Sequence, residues 1–166
     1  MMKLIFYVAL ILASKSVYAQ AVTEDFDSAD KTEIALGSYK ITIPGGWIHK
    51  SETKSDQRVT TTIYHPNGSG TLQFMSLSAS PNVITQEVLR NTTNVDSSIN
   101  LNWQVWGDFN GYQYAYTENR TDYLNWWLAN QEEILIFSYS SESLDESDKN
   151  MINGIVNSIT AANRGH

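Results

Sequence analysis

The chain predicts an α/β (α+β) fold, an antiparallel β-sheet of about six to seven strands with helices packed on its faces. Three observations predict it. Apolar and polar residues alternate through most of the stretch 39–141, the pattern of half-buried strands. Clusters of Gly, Pro, Asn and Asp interrupt that alternation at short intervals, as hairpin turns do. Two segments, 81–94 and 147–159, switch to helical spacing.

The chain opens on a secretory pattern. Met1, Met2 and Lys3 precede ten apolar residues, Leu4 to Ala13, and Val17-Tyr18-Ala19 has the small-residue ending that a signal peptidase accepts. The apolar run is shorter than the roughly 20 residues needed to cross a bilayer. Residues 1–19 are therefore expected to be a signal peptide, with Gln20 the first residue of a periplasmic or secreted protein. The chain has no cysteine, which excludes lipid attachment at the cut and any disulfide. No stable membrane insertion is expected after cleavage, and no cofactor; ATP and NADH are not supplied outside the cytoplasm. Cleavage removes Lys3 and Lys15 and moves the net charge from −7 to −9. Such acidity excludes nucleic acid as a partner, because phosphate backbones need a positive footprint. It suits a basic protein partner.

Residues 20–36 read as an acidic flexible leader. Glu24, Asp25, Asp27, Asp30 and Glu33 crowd there against Lys31 alone, so a mobile arm or one short helix is expected. A single domain is expected over 37–160, large enough to bury roughly 68–70% of its unfolded surface. Tyr39, Ile41 and Ile43 alternate with Lys40 and Thr42 as a strand, which Pro44-Gly45-Gly46 breaks before Trp47. A short strand follows, then a β-branched strand over 58–65 with Val59, Thr61 and Ile63 on one face. Residues 66–70 form a hairpin signal, and 71–78 return as a strand. Thr85 is a candidate N-cap for a short helix carrying Val88 and Leu89. Four more strands follow. Ile99, Leu101, Trp103 and Val105 alternate in the first; Tyr112, Tyr114 and Tyr116 share a face of the second. Tyr123–Ala129 and Ile134–Tyr139 are apolar on both faces, as central strands are. Asp145, Glu146 and Asp148 open a last helix whose buried face holds Met151, Ile152, Ile155, Val156 and Ile159. Residues beyond it read as a C-terminal tail.

The strand ending Tyr39-Lys40-Ile41-Thr42-Ile43-Pro44-Gly45-Gly46-Trp47 and the closing strand and helix that finish Ile155-Val156-Asn157-Ser158-Ile159 resemble the PsbP-like fold family over residues 37–160. That family includes photosystem assembly factors and secreted bacterial proteins, and some periplasmic immunity proteins, which neutralise toxins delivered by rival bacteria, look similar. The resemblance implies a non-catalytic binding scaffold. No functional motif matches, so no functional residue carries over.

Chemistry read from the residues themselves is sparse. His49, His65 and His166 have no zinc-site spacing, and no cysteine assists them. Asp25-Phe26-Asp27 begins like a calcium loop, but Asp30 and Leu36 stand where glycine and glutamate belong. Asp145, Glu146 and Asp148 are explained by the helix N-terminus. Gly68-Ser69-Gly70 is a turn without a nucleophile elbow. Glu118, Asp122, Glu132 and Glu133 fall at strand ends, where carboxylates are solvated. Asn67, Asn91 and Asn119 begin glycosylation sequons that matter only in a eukaryotic secretory route. The chain is not expected to be an enzyme, and no metal site is expected.

The aromatic strip that includes Trp106, Tyr112, Tyr114, Tyr116, Tyr123, Trp126 and Trp127 is the most suggestive feature. Alternation puts Trp106 with Asn100, Asn102 and Gln104, away from Trp103, and an uncovered face there would expose an aromatic-polar patch. The expected function is an exported protein-binding module, in its most specific form an immunity protein that caps a toxin. The alternatives are an envelope assembly or accessory factor, a glycan-binding module, and an unrecognised hydrolase. The expected partner-binding residues are Trp106, Asp108, Asn110, Tyr112, Arg120 and Asp122, with the acidic turns entering a basic toxin cleft and Trp106 or Tyr112 as apolar anchors.

Overall fold

The structure, a computed structural model, describes residues 30–53, 58–68, 70–78, 86–93, 95, 101, 103–130 and 133–162. The expected signal peptide, most of the expected acidic leader, Thr85 and the final residues lie outside them. So do Asp25-Phe26-Asp27 at the start of the failed calcium loop, Ser69, Ile99, Asn100, Asn102, Glu132 and His166.

The described chain is two antiparallel sheets and two helices. Its elements are β1 (Lys31–Leu36), β2 (Tyr39–Pro44), β3 (Ile48–Thr53), β4 (Val59–Tyr64), β5 (Thr71–Ser78), α1 (Gln86–Thr93), β6 (Trp103–Trp106), β7 (Phe109–Glu118), β8 (Thr121–Ala129), β9 (Glu133–Ser141), α2 (Glu146–Asn157) and β10 (Thr160–Ala161). Seven strands form the large sheet in the order β3-β4-β5-β9-β8-β7-β6, and β1-β2-β10 form a small one. The α+β class and the antiparallel pairing agree with the sequence, but the single expected sheet is two, because β2 leaves the large one to pair with β1 and β10.

Two expectations need correction. Lys31–Leu36 is a strand, not a leader: it pairs with β2 along its whole length, and Ile34 and Leu36 are buried. The alternation Ile34, Leu36 is short, and the acidic residues before it mask it. Thr160 and Ala161 are likewise no tail, since they pair with Lys40 and Tyr39 on the other side of β2.

Turn chemistry sets the hairpins. Gly37 (φ +64°) and Gly107 (φ +56°) supply left-handed backbone at two of them, and Gly46 (φ +81°) does so where the chain passes from β2 in one sheet to β3 in the other. At the β7–β8 turn the same region is occupied by Asn119 (φ +50°) and Arg120 (φ +67°), a two-residue turn between Glu118 and Thr121.

The inner face of the large sheet carries the main core. Phe74, Leu124, Trp126, Leu128, Leu135 and Phe137 meet Ile41 and Ile43 of β2 and Ile152, Ile155 and Val156 of α2. Asp145 caps α2 by accepting from the Asp148 backbone N–H at 2.8 Å. The far end of α2 is tied to the small sheet, where the Thr42 N–H donates to Ser158 Oγ at 2.8 Å. Gln113 Nε2 donates to Asn153 Oδ1 at 3.0 Å and joins α2 to β7.

The outer face divides across its middle. At one end Ala129, Ile134 and Ile136 lie under Leu89 of α1 and Leu101. Tyr112 is fully buried there, and its hydroxyl donates to the Leu89 carbonyl at 3.3 Å. The other end is polar and partly exposed.

Gly111 is buried between β6 and β8, and a Cβ at that position would overlap the Trp127 carbonyl. Gly111→Ala is expected to lower stability by about 1–3 kcal/mol, read as a shift in urea midpoint. Tyr139 points into the inner core with its phenol pushed up to about 12, first by burial and then by the charge of Asp148, while Ser141 hydrogen bonding lowers it and Asp145 adds a further rise. The unfolded phenol ionises from about pH 10 and the folded one only near 12, so unfolding releases a proton across that window. Stability therefore falls as pH rises from 10 to 12. In Tyr139→Phe, urea midpoints are expected to fall less steeply over that range than in the parent chain.

Candidate functional site

Strand alternation and register place two rows of side chains on the open end of the outer face. The first row runs Tyr116, Tyr123, Ser140, Thr71, Tyr64 and Ile48 across β7, β8, β9, β5, β4 and β3. The second runs Tyr114, Asn125, Ser138, Gln73, Thr62 and Lys50. One row further along, Trp127, Ile136 and Met75 belong to the apolar cluster under α1. The face thus changes from apolar and covered to polar and partly exposed within one strand residue pair.

Tyrosines wall one side of this area. Tyr116 and Tyr123 stack with centroids 4.8 Å apart and planes 10° from parallel, and Tyr114 stacks on Tyr116 at 6.0 Å and 17°. The ladder continues through Tyr112 to Trp103 in tilted contacts. Tyr116 is 41% exposed. On the opposite side Tyr64 is partly exposed, with Lys50 Nζ 5.7 Å from its ring centroid. Between them the floor is made of hydroxyls and amides. Ser138, Ser140, Thr71 and Thr62 are partly exposed, and Gln73 is exposed.

Asn125 is the unusual member. It is only 6% exposed, and its Nδ2 is enclosed without a hydrogen-bond partner. Leaving such a donor unpaired costs about 1–3 kcal/mol. Trp126 Nε1, on the inner face, is the other such nitrogen named among the described residues.

Burial perturbs the tyrosines. The Tyr114 phenol is raised above 10 by burial and by Tyr116, partly offset by the Trp127 indole N–H donating to it. The Tyr116 phenol is raised by burial, then by Tyr123 and Glu118.

The structure does not gather the six expected partner-binding residues. Trp106 is 6% exposed and packs in the inner core with Phe109, so the side of β6 that holds Gln104 and Trp106 is not an open aromatic patch. Tyr112 is fully buried under α1. Neither can anchor a partner. Asp108 and Asn110 are exposed at the β6–β7 turn, while Arg120 is exposed at the β7–β8 turn. Ten-residue β7 separates the two turns by about 30 Å. Asp122 is half-buried and already engaged, accepting from Thr117 Oγ1 at 2.7 Å and from the Leu144 N–H at 3.3 Å. It ties β8 to the loop before α2.

Elsewhere, a recess of about 370 Å³ lies between the β1–β2 turn and the ends of β4 and β5, lined by Leu36, Arg58, Thr61, Phe74 and Ser76 among others. Among the described residues no three His, Cys, Asp or Glu side chains come together as a metal site, and no helix is long and apolar enough to cross a membrane.

No protein-family profile matches the chain, and no curated protein matches it. A crystal structure of a Bacteroides thetaiotaomicron protein is similar to it, with a TM-score of 0.56 at 11% identity over 83% of this chain and 50% of that one. This chain spans half the length of that protein, and the likeness is one of fold alone. A GTP-binding regulator from Thermotoga maritima aligns at a TM-score of 0.33 and 10% identity over 71% of this chain and 78% of that one, which carries no argument.

Coupling along the tyrosine ladder is measurable. Tyr116→Phe is expected to move the Tyr114 phenol down toward 10, because the Tyr116 charge contributes to its rise. Site-resolved NMR titration of the Tyr114 ring carbon Cζ in the parent chain and the variant reads this directly.

Proposed function

We propose that this chain is an exported, non-catalytic protein-binding module of PsbP-like architecture that acts as a periplasmic immunity protein, capping a secreted bacterial toxin. The observation that carries the reading is the β7–β8 tip. Glu118, Asn119 and Arg120 stand exposed there beside Tyr116, and the stacked Tyr123 holds Tyr116 in place. An exposed tyrosine already fixed in one position loses little freedom when a partner covers it, which favours it as an anchor. The acidic balance, −7 over the whole chain, favours a basic partner.

Arg120 adds a second support. Its φ of +67° is one that glycine adopts freely and that costs a side-chain-bearing residue roughly 1–2 kcal/mol. A turn chosen only for stability would carry Asn-Gly. An exposed arginine kept there against that preference suits a role at the tip.

The test uses the full chain expressed with its own leader, mixed with extracts of the source organism and its close competitors, with bound proteins identified by mass spectrometry. One stoichiometric envelope-targeting toxin is expected. Arg120→Gly should then raise the melting temperature while weakening that complex roughly tenfold. A complex undiminished in Arg120→Gly removes the tip from the interface, and recovery of a resident envelope assembly instead of a toxin replaces capping with an accessory role.

A further inference from the structure

We propose that the open end of the outer sheet face is a binding site for a neutral saccharide. The tip reading uses the turn and the Tyr116 side of the stacked pair; this site lies on the far side of Tyr123, and it stands without that reading.

The rows leave a gap between two aromatic walls. Tyr123 stacks one ring face on Tyr116, from the β7 side, so its other face turns across Ser140 toward β4. Tyr64 stands on β4, with Lys50 reaching its ring from β3. Three strand spacings separate Tyr123 from Tyr64, about 14 Å between backbones. A ring-sized ligand fits between two such walls.

The floor decides the chemistry. Ser140 and Thr71 lie directly between the walls, with Ser138 and Gln73 in the next row and Asn125 beside Ser138. None of these five is charged, and each carries a hydroxyl or an amide. An aliphatic ligand would strip water from them and return no hydrogen bond. An ionic ligand would find no charge on the floor, only Lys50 at one rim and the opposite charge of Glu118 beyond Tyr116 at the other. A saccharide matches both parts: its C–H face lies against the Tyr123 ring and its hydroxyls exchange donors and acceptors with the floor.

Asn125 is the independent observation. Its Nδ2 is enclosed without a partner on a residue 6% exposed, while its row neighbour Ser138 is partly exposed. A ligand oxygen seated over Ser138, with the amide turned to meet it, supplies what the protein does not. A protein interface built for this face would centre on an apolar patch, and here the apolar rows lie under α1 instead.

The experiment titrates the ¹⁵N-labelled full chain with cellohexaose, maltohexaose, xylohexaose and chitohexaose in turn, following amide and Asn/Gln side-chain resonances. At least one oligosaccharide is expected to shift Asn125, Gln73, Ser138 and Ser140 together. Tyr123→Ala and Gln73→Ala should each weaken that binding roughly tenfold, and Arg120→Gly should leave it unchanged. Should Tyr123→Ala fail to fold, Gln73→Ala and Ser140→Val carry the test, since Gln73 is exposed and Ser140 partly so. No shift with any of the four, shifts elsewhere on the molecule, or binding undiminished in both Gln73→Ala and Ser140→Val would each overturn the proposal.

Discussion

The packing of β8 and β9 against α2 and β2 is the interaction on which the rest of this structure rests. Trp126, Leu128, Leu135 and Phe137 are fully buried on the inner face, and Ile155 and Val156 of α2 close over them. Truncating a buried tryptophan or phenylalanine of this kind costs about 3–5 kcal/mol, a large part of what a domain of this size has to spare. With no cysteine in the chain, no covalent tie substitutes for that packing. The terminal strands β1 and β10 flank β2 and hold it over the core, and the Ser158–Thr42 hydrogen bond fixes the end of α2 to the same strand. Because the inner face is sealed this thoroughly, the outer face is free to stay half polar.

Most elements were legible in the sequence because their patterns are local. Tyr39–Ile43, 58–65, 71–78 and the two apolar central strands all read correctly from alternation and turn residues. The last helix read correctly from the spacing of Ile152, Ile155, Val156 and Ile159. What failed was non-local. Lys31–Leu36 and Thr160–Ala161 are strands because β2 offers them free edges, and few of their own residues advertise it. The short helix is seen as Gln86–Thr93, within the span its pattern suggested.

The site was partly legible, and the reason for the miss is physical. Alternation correctly put Tyr112, Tyr114 and Tyr116 on one face, but it says nothing of which end of that face a helix covers. Tyr112 therefore lost its place to burial, whereas Tyr116 kept it. Trp106 was assigned to an open patch, yet its side of the sheet is the one that meets α2 and the small sheet. A usable signal lay in the central strands themselves. Ser138 and Ser140 are spaced two apart in an otherwise apolar run, and Asn125 interrupts Leu124 and Trp126 in the same manner. Strands this central carry polar residues on one face only where that face meets water or a ligand.

The division of the outer face also explains why its polar end can be well ordered without a cover. The tyrosine ladder is continuous from Trp103, held beneath α1, to Tyr123 at the open end. Rings under α1 are fixed by the apolar cluster there, and each fixes the next through stacking. Order is thus transmitted from the buried rows to the exposed ones by contact, and the open end needs no hydrophobic lid of its own. The donor at Asn125 is the cost of that arrangement: it sits on the boundary, its Nδ2 enclosed and unpaired, outside the apolar cluster. A group in that position destabilises the free protein and gains a partner only when something polar settles on the face. The same constraint that leaves the face open makes a hydrogen-bonding occupant preferable to an apolar one.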